Sequence, residues 1–267
     1  MTVGIIGMGS MGNMLLEKFY ASGKFGEGEL LAANRSPEKL EQCRIAVPCS
    51  NTELASRADI VFVCVRPVDL KSVLSEIAPC LKEDSLLVSL NGSITFDMIR
   101  NITDHKTAKV IPSVTAEINR SQTIVCYNGK VTEQDKESLR SLLGIIGEVI
   151  ELPENEVGMG SELVSCMPGF IASIFDVVCT SAEKHTDIPR EQIVKMVLNT
   201  MSATGDLMLR NDMTFDEVVT RVATKGGITE EGTKVIYEMF PEAADEMFDK
   251  TLEKRKQTAK KAAEAFG

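Results

Sequence analysis

The stretch Val3-Gly4-Ile5-Ile6-Gly7-Met8-Gly9-Ser10-Met11-Gly12 decides the fold. A short apolar run of strand type enters G-x-G-x-x-G, and the residues from there toward Tyr20 read as a helix. Each glycine has its own task in that setting. Gly7 permits a tight turn, Gly9 lets the backbone approach a pyrophosphate, and Gly12 lets helix and strand pack closely. Free N–H groups at the helix start face anionic oxygens. Gly7, Met8, Gly9, Ser10, Met11 and Gly12 are the candidate phosphate loop of a dinucleotide site, against the competing reading of a glycine turn with no ligand.

About 20 residues further on, an NAD-preferring site places an acid at the end of its second strand to bond the adenosine ribose. Here that place is held by Asn34-Arg35-Ser36, so no acid repels a 2′-phosphate, and Arg35 and Ser36 can donate to one. NADP(H) is expected over NAD(H); a solvated Arg35 beside a helix cap is the alternative. Val65-Arg66-Pro67 and Asn91-Gly92 follow the next two strands, at the carboxyl ends where open α/β sheets bind ligands, and are expected to rim the nicotinamide. An ordinary turn at Asn91-Gly92 and a surface charge at Arg66 stay open as alternatives.

Around this core, strand-type and helical stretches alternate as far as about residue 152. The candidate strands are Val3–Ile6, Leu30–Ala33, Ile60–Val65, Leu86–Leu90, Lys109–Ile111, Thr123–Cys126 and Glu148–Glu151. Helices are expected from Ser36-Pro37-Glu38 and over Asp69–Leu81. From about residue 156 only helical periodicity remains. The expectation is an α/β Rossmann domain, doubly wound on a mainly parallel sheet, over residues 1–153, and an all-α dimerisation domain over 154–267. The helix near Glu156–His185 presents Leu163, Met167, Phe170, Ile171, Ile174, Phe175 and Val178, with a kink expected at Pro168-Gly169. So broad an apolar surface points to a homodimer through these helices, with higher assembly left open. A capping box at Thr214–Glu217, a stop at Gly226-Gly227, a cap at Thr229 and a helix opened by Pro241 complete the reading.

Composition narrows the partners. Lys+Arg at 29 against Asp+Glu at 39 leaves −10, which argues against a nucleic-acid surface. The longest unbroken apolar stretch runs only from Ile60 to Val65, short of the ~20 residues of a membrane helix, so no membrane role is expected. The opening residues lack secretory-signal features, and a cytoplasmic location is expected. Seven scattered cysteines without C-x-x-C spacing, and only His105 and His185, predict reduced thiols and no metal site.

A small-molecule acceptor beside the nicotinamide needs few side chains, because the cofactor carries the chemistry. A carbonyl acceptor calls for a proton donor, whereas an imine can arrive protonated and needs a partner for nitrogen and a seat for its anionic group. Gly226-Gly227-Ile228-Thr229 fits the second case, with N–H groups for a carboxylate and the Thr229 hydroxyl for nitrogen. A helix stop followed by a threonine cap is the plainer reading of the same residues.

Several motifs together resemble the pyrroline-5-carboxylate reductase family over nearly the whole length. They are the Gly7–Gly12 loop, Asn34 to Leu40, Ser50-Asn51, Ala58-Asp59 leading into Val65-Arg66-Pro67, Ser89 to Gly92, and above all Val222 to Gly232. The resemblance implies reduction of 1-pyrroline-5-carboxylate to proline by NAD(P)H, a Rossmann domain and an intertwined helical dimerisation domain. It also implies that Thr229 bonds the imine nitrogen, that Gly226-Gly227 and the following turn seat the carboxylate, and that Asn51 lies near the adenosine. Departures are visible: Ile111-Pro112-Ser113-Val114-Thr115, with Ser113 in the expected nicotinamide pocket, and Ser165-Cys166-Met167-Pro168-Gly169-Phe170, with Met167 in the substrate lining. Arg66 replaces the family lysine and Asn91 an alanine; paralogues grouped with late competence proteins show similar changes.

Two other readings follow. A β-hydroxyacid dehydrogenase would need a lysine soon after Gly158-Met159-Gly160, and none occurs before Lys184. A nucleotide-binding paralogue without an imine site would keep the glycine loop and act through its helices.

Overall fold

All four residues of β1 (Val3–Ile6) are buried, as a strand covered on both faces of a parallel sheet must be. Its side chains alternate between two cores. Val3 and Ile5 pack with Leu15, Phe19 and Phe62, whereas Ile6 packs with Leu54, Leu70 and Leu74 on the other face. The computed structural model describes every residue except Pro37, Gln42 and Gly267, with backbone alone at Glu41 and Ala265.

β1 pairs in parallel with β2 (Leu30–Ala33) on one side, while β3 (Val47–Pro48) lies beyond β2 at the sheet edge. On its other side follow β4 (Ile60–Val63), β5 (Leu86–Ser89), β6 (Thr107–Ile111), β7 (Ser121–Tyr127) and β8 (Gly147–Glu151), giving the order β3-β2-β1-β4-β5-β6-β7-β8. Among the described residues only the β6–β7 pairing is antiparallel. The chain thus runs outward from β1 and then returns to β4 on the opposite side, the topological switch at which doubly wound sheets open a crevice. The expected strands form with shifted ends: β4 and β5 stop before Cys64 and Leu90, while β6 and β7 are longer than their apolar runs. β3 escaped the sequence reading because two residues, one a proline on an edge, carry no periodicity.

Helices α1 (Ser10–Ala21), α2 (Glu38–Glu41), α3 (Asn51–Arg57), α4 (Pro67–Ile77), α5 (Phe96–Arg100) and α6 (Glu133–Leu143) connect the strands. The expected helix over Asp69–Leu81 begins earlier, since Arg66 is the N-cap and Pro67 takes the first position, where its missing N–H costs nothing. Of the start expected at Ser36-Pro37-Glu38, Pro37 lies outside the described residues.

The later helices are α7 (Val157–Ser161), α8 (Met167–Ala182), α9 (Arg190–Asn211), α10 (Phe215–Val222) and α11 (Ile228–Phe266). A π turn, Glu162–Cys166, joins α7 to α8 directly ahead of Pro168. Such a turn widens the helix where proline removes an N–H donor, and it lies just ahead of the place where a kink was expected, Pro168-Gly169. Three expectations at the end of the chain are corrected. Pro241 lies inside α11 and does not open a helix. α10 ends at Val222, ahead of Gly226-Gly227, and Thr229 is the second residue of α11, not its cap. The capping box of Thr214 with Glu217 forms as read.

Contacts divide the chain into two units, Met1–Pro168 with Leu252–Gly267, and Gly169–Thr251. The expected division at 153/154 marks the change from strand to helix, whereas packing carries the first unit on through the π turn and takes back the end of α11. Ala262 and Phe266 join the core beneath α4, and Lys71 Nζ donates to the Phe266 carbonyl at 3.2 Å.

One membrane expectation also changes. The run Glu154–Ala182 is long and apolar enough to cross a membrane by length and composition, and little of its most apolar window is buried within the single chain. Counting unbroken apolar residues missed it, because glycine, serine and proline interrupt the run without making it polar.

Candidate functional site

The turn from β1 into α1 is built around its glycines. Gly7 has φ +99°, and a Cβ there would lie 2.9 Å from the Cys64 carbonyl oxygen; a Cβ on Gly12 would lie 2.1 Å from the Gly7 oxygen. Gly9 differs. It is the N-cap of α1, in extended conformation with no side-chain cap, and the space where a Cβ would project is open for 4 Å. No acid occupies the first turn of α1. The loop therefore offers N–H groups and half a positive charge to an anion without a resident carboxylate to repel it. Beneath it, burial pushes the Cys64 thiol up to about 12, so no thiolate charge opposes a phosphate.

The end of β2 straps this loop in place. Met8 N–H donates to Asn34 Oδ1 at 2.9 Å, Asn34 Nδ2 donates to the Ser36 carbonyl at 3.0 Å, and Lys39 Nζ donates to the Met8 carbonyl at 3.2 Å. Asn34 thus positions the loop, and Lys39 brings a cation to it. Arg35 extends into solvent, with its side chain 82% exposed. Arg66, 71% exposed, approaches from the end of β4. Both meet Asp69 in the first turn of α4, Arg35 at 3.5 Å and Arg66 Nε at 3.0 Å. Exposed pairs of this kind are each worth about 0–1 kcal/mol, so either arginine can be drawn away by a stronger anion. Asn51, at the start of α3, donates to Glu76 at 2.9 Å.

Farther along the sheet, Asn91 is buried and its Nδ2 donates to the Val65 carbonyl at 3.2 Å, tying the β5 loop to the β4 loop. Ser113, also buried, receives a bond from Thr115 N–H, while its own N–H donates to Ser121 Oγ at 3.0 Å. A Cβ on Gly92 would lie 3.4 Å from an Arg255 Nη1. Arg255 comes from α11 and bonds Glu162 Oε1 through Nε at 3.1 Å and Nη2 at 2.7 Å, and Ser161 Oγ at 3.0 Å. Glu162 is buried in the π turn, and among the described residues its Oε2 has no partner within hydrogen-bond geometry. Burial, with the Glu162 charge next in size, raises the Cys166 thiol above the ordinary range.

The loop before α11 belongs to the other unit. Gly226 has φ +73°; its N–H donates to Glu230 Oε2 at 2.5 Å, and Gly227 N–H donates to the Thr224 carbonyl at 2.8 Å. The segment does capture a carboxylate, here one of its own. Thr229 is exposed and its hydroxyl makes no hydrogen bond among the described residues.

Comparison with known proteins sets these features in a family. Residues 2–92 match the family described as NADP oxidoreductase coenzyme F420-dependent, and residues 154–258 match pyrroline-5-carboxylate reductase dimerisation. The dimerisation match and the relatives that follow support a place in the pyrroline-5-carboxylate reductase family. It is 29% identical over 257 residues to pyrroline-5-carboxylate reductase 3 of Bacillus subtilis (strain 168), with 94% of each chain covered. It is 26% identical over 241 residues to ComE operon protein 4 of the same organism, covering 88% of each. Among solved structures, pyrroline carboxylate reductase of Plasmodium falciparum with NADP bound superposes with TM-score 0.83 at 20% identity, covering 100% of this chain and 98% of that one. The enzyme of Coxiella burnetii gives 0.84 at 22%, covering 99% and 98%. The fold, a Rossmann domain followed by a helical dimerisation domain, is that of the family's solved members.

In this chain the sheet places Gly7–Gly12, Asn34–Ser36, Val65–Pro67, Asn91, Gly92 and Ser113 at the carboxyl ends of β1, β2, β4, β5 and β6. Met167 opens α8, half-buried, in the first unit; Gly226, Gly227, Ile228 and Thr229 lie in the second. Sequence reasoning missed Lys39, Asp69, Glu162 and Arg255. A lysine and an acid in first helical turns read as solvated charges, and the pairing of Glu162 with Arg255, 93 residues apart, leaves no local pattern. Among the described residues no group of three His, Cys, Asp or Glu side chains could hold a metal ion.

Proposed function

We propose that this protein reduces a cyclic imine carboxylate, 1-pyrroline-5-carboxylate, to L-proline, with NADP(H) favoured over NAD(H). The observation that carries the reading is the open, acid-free face at Gly9, on the same chain as the family's dimerisation region. When bound, the reduced nicotinamide supplies a hydride to the imine carbon. Everything else falls to the chain. Gly7 to Gly12 hold the pyrophosphate, Arg35 and Ser36 take the 2′-phosphate, and Asn51 lies toward the adenosine. Val65, Arg66, Pro67, Asn91, Gly92 and Ser113 rim the nicotinamide, and Met167 lines the substrate.

Gly226, Gly227 and Ile228 seat the carboxylate, and the Thr229 hydroxyl bonds the imine nitrogen. An imine that arrives protonated becomes an uncharged amine on accepting hydride, so a hydrogen-bond partner is enough and no strong acid is needed. The working unit is a homodimer formed through the helices that leave their apolar faces uncovered in the single chain, in the cytoplasm, where its seven free cysteines stay reduced.

A second reading, a nucleotide-binding paralogue without imine turnover, draws on the carboxylate seat, where Glu230 and Thr224 already take the Gly226 and Gly227 N–H groups. One assay separates the two. Loss of reduced-nicotinamide absorbance is followed with NADPH or NADH and 1-pyrroline-5-carboxylate, with a six-membered cyclic imine acid run beside it. Rapid oxidation with the five-membered acid is expected. NADPH binding without oxidation by either acid would overturn the reductase and leave the paralogue.

A further inference from the structure

We infer that Asp69 sets the coenzyme selectivity of the nucleotide site: it is a counter-ion that Arg35 and Arg66 surrender to a 2′-phosphate, and an acceptor for ribose hydroxyls when no phosphate is there. The inference rests on the nucleotide reading proposed above. It begins from what the end of β2 lacks. Asn34-Arg35-Ser36 contains no acid, so the local sequence alone predicts a site with nothing to favour the unphosphorylated coenzyme.

The fold changes that balance. β2 and β4 flank β1, so the loops carrying Arg35 and Arg66 stand on either side of the glycine loop. Between the two guanidinium groups α4 inserts a carboxylate, whose Oδ1 faces Arg35 at 3.5 Å and whose Oδ2 accepts from Arg66 Nε at 3.0 Å. Each oxygen thus takes one arginine. Asp69 is the less exposed member, at 30%, and is anchored in a helix, whereas both arginines reach in from solvent.

The charges decide which way the cluster responds. A phosphate monoester carries about −1.5 to −2 at neutral pH and three acceptor oxygens, more than one carboxylate offers two guanidinium forks. The arginines can therefore move from Asp69 to a 2′-phosphate, but the phosphate must enter beside a fixed negative charge. A ribose with free hydroxyls meets the reverse situation, because hydroxyls donate to a carboxylate. One group thus acts with opposite sign on the two coenzymes. Were Asp69 only a first-turn acid supporting α4, its replacement would alter thermal stability and leave the ratio of the two affinities unchanged.

The test measures dissociation constants for NADPH and NADH, by fluorescence of the reduced nicotinamide, on the wild-type protein and on Asp69→Asn, Asp69→Ala and Arg35→Ala, at low and high salt. Thermal unfolding confirms that each variant folds. Both Asp69 variants are expected to raise the NADPH preference about tenfold at low salt and less at high salt, since one unit of repulsion close to the phosphate is removed and salt screens it. Arg35→Ala is expected to lower the same preference. If the wild-type protein binds both coenzymes and neither Asp69 variant moves the ratio by more than twofold, the role of Asp69 is overturned while the nucleotide reading stands. Binding of neither coenzyme to the wild-type protein overturns both.

Discussion

The first unit and the second treat the same kind of residue in opposite ways. In β1, β2, β4 and β5 every side chain is buried by the chain's own helices. Across Gly169–Thr251 only Cys179 and Ile193 are buried, while Val177, Met196, Leu209, Phe215, Ile236 and Met239 stay exposed. An apolar pattern therefore states that a surface must be covered without stating by what. A parallel sheet recruits helices from its own crossovers, whereas helices with apolar residues on several sides need a second surface, here assigned to a second copy.

The sharpest way to break this contrast is to disturb both regions and vary protein concentration. Ile5→Ala, in the buried sheet, is expected to cost about 2–5 kcal/mol at any concentration. Val177→Asp is expected to shift sedimentation from dimer to monomer and to make thermal unfolding depend strongly on concentration. If Val177→Asp sediments as the wild type does, that face is not the dimer interface.

The end of α11 joins the first unit, and its anchor can be tested next. Arg255→Met leaves the buried Glu162 without its cation and is expected to cost about 3–5 kcal/mol in denaturant unfolding. Adding Glu162→Leu should recover much of the loss, because two apolar groups replace an orphaned charge. Failure of the double variant to recover would mean that Arg255 acts mainly through its packing beside Gly92 and Gly158.

In the second unit, Thr229→Ala is expected to lower kcat about 10- to 100-fold, the worth of a hydrogen bond to a charged partner, with NADPH affinity unchanged. Glu230→Ala should lower the KM for the imine acid, since the competing acceptor is removed from the Gly226 N–H. Equal loss of cofactor affinity and turnover in Thr229→Ala would remove its assigned role.

The smallest effect concerns His105, half-buried with Nε2 at 3.1 Å from Ser85 Oγ. Burial holds its pKa below the ordinary value of 6.5. Just below pH 6.5 the unfolded chain takes up a proton that the folded chain refuses, so stability is lost as the pH is lowered there until the folded pKa is passed. His105→Asn should flatten that slope in unfolding titrations.

Much of the first unit was legible because its signals are local. Gly7, Gly9 and Gly12 answer to backbone geometry within a few residues, and the strands announce themselves by burial on both faces. The end of the chain was misread for an equally local reason: proline favours a helix start, although Pro241 lies inside α11, and Thr229 reads as a cap wherever a glycine pair precedes it. The site was half visible. Asn34, Arg35 and Ser36 were found by their distance from the glycine loop, but that Asn34 supports the loop was not read, and Asp69, Glu162 and Arg255 work through partners far away in sequence.

By itself, then, the order of residues determined the glycine turn, the doubly wound sheet, the change to helices and the family, since all depend on spacing along the chain. Only the tertiary structure decided that α4 sets a carboxylate between Arg35 and Arg66, that the last helix returns Arg255 to Glu162, and that the helical faces go uncovered. The physical reason is that pairing of charges and coverage of apolar surface act through space, and no short stretch of sequence records what the fold will bring alongside it.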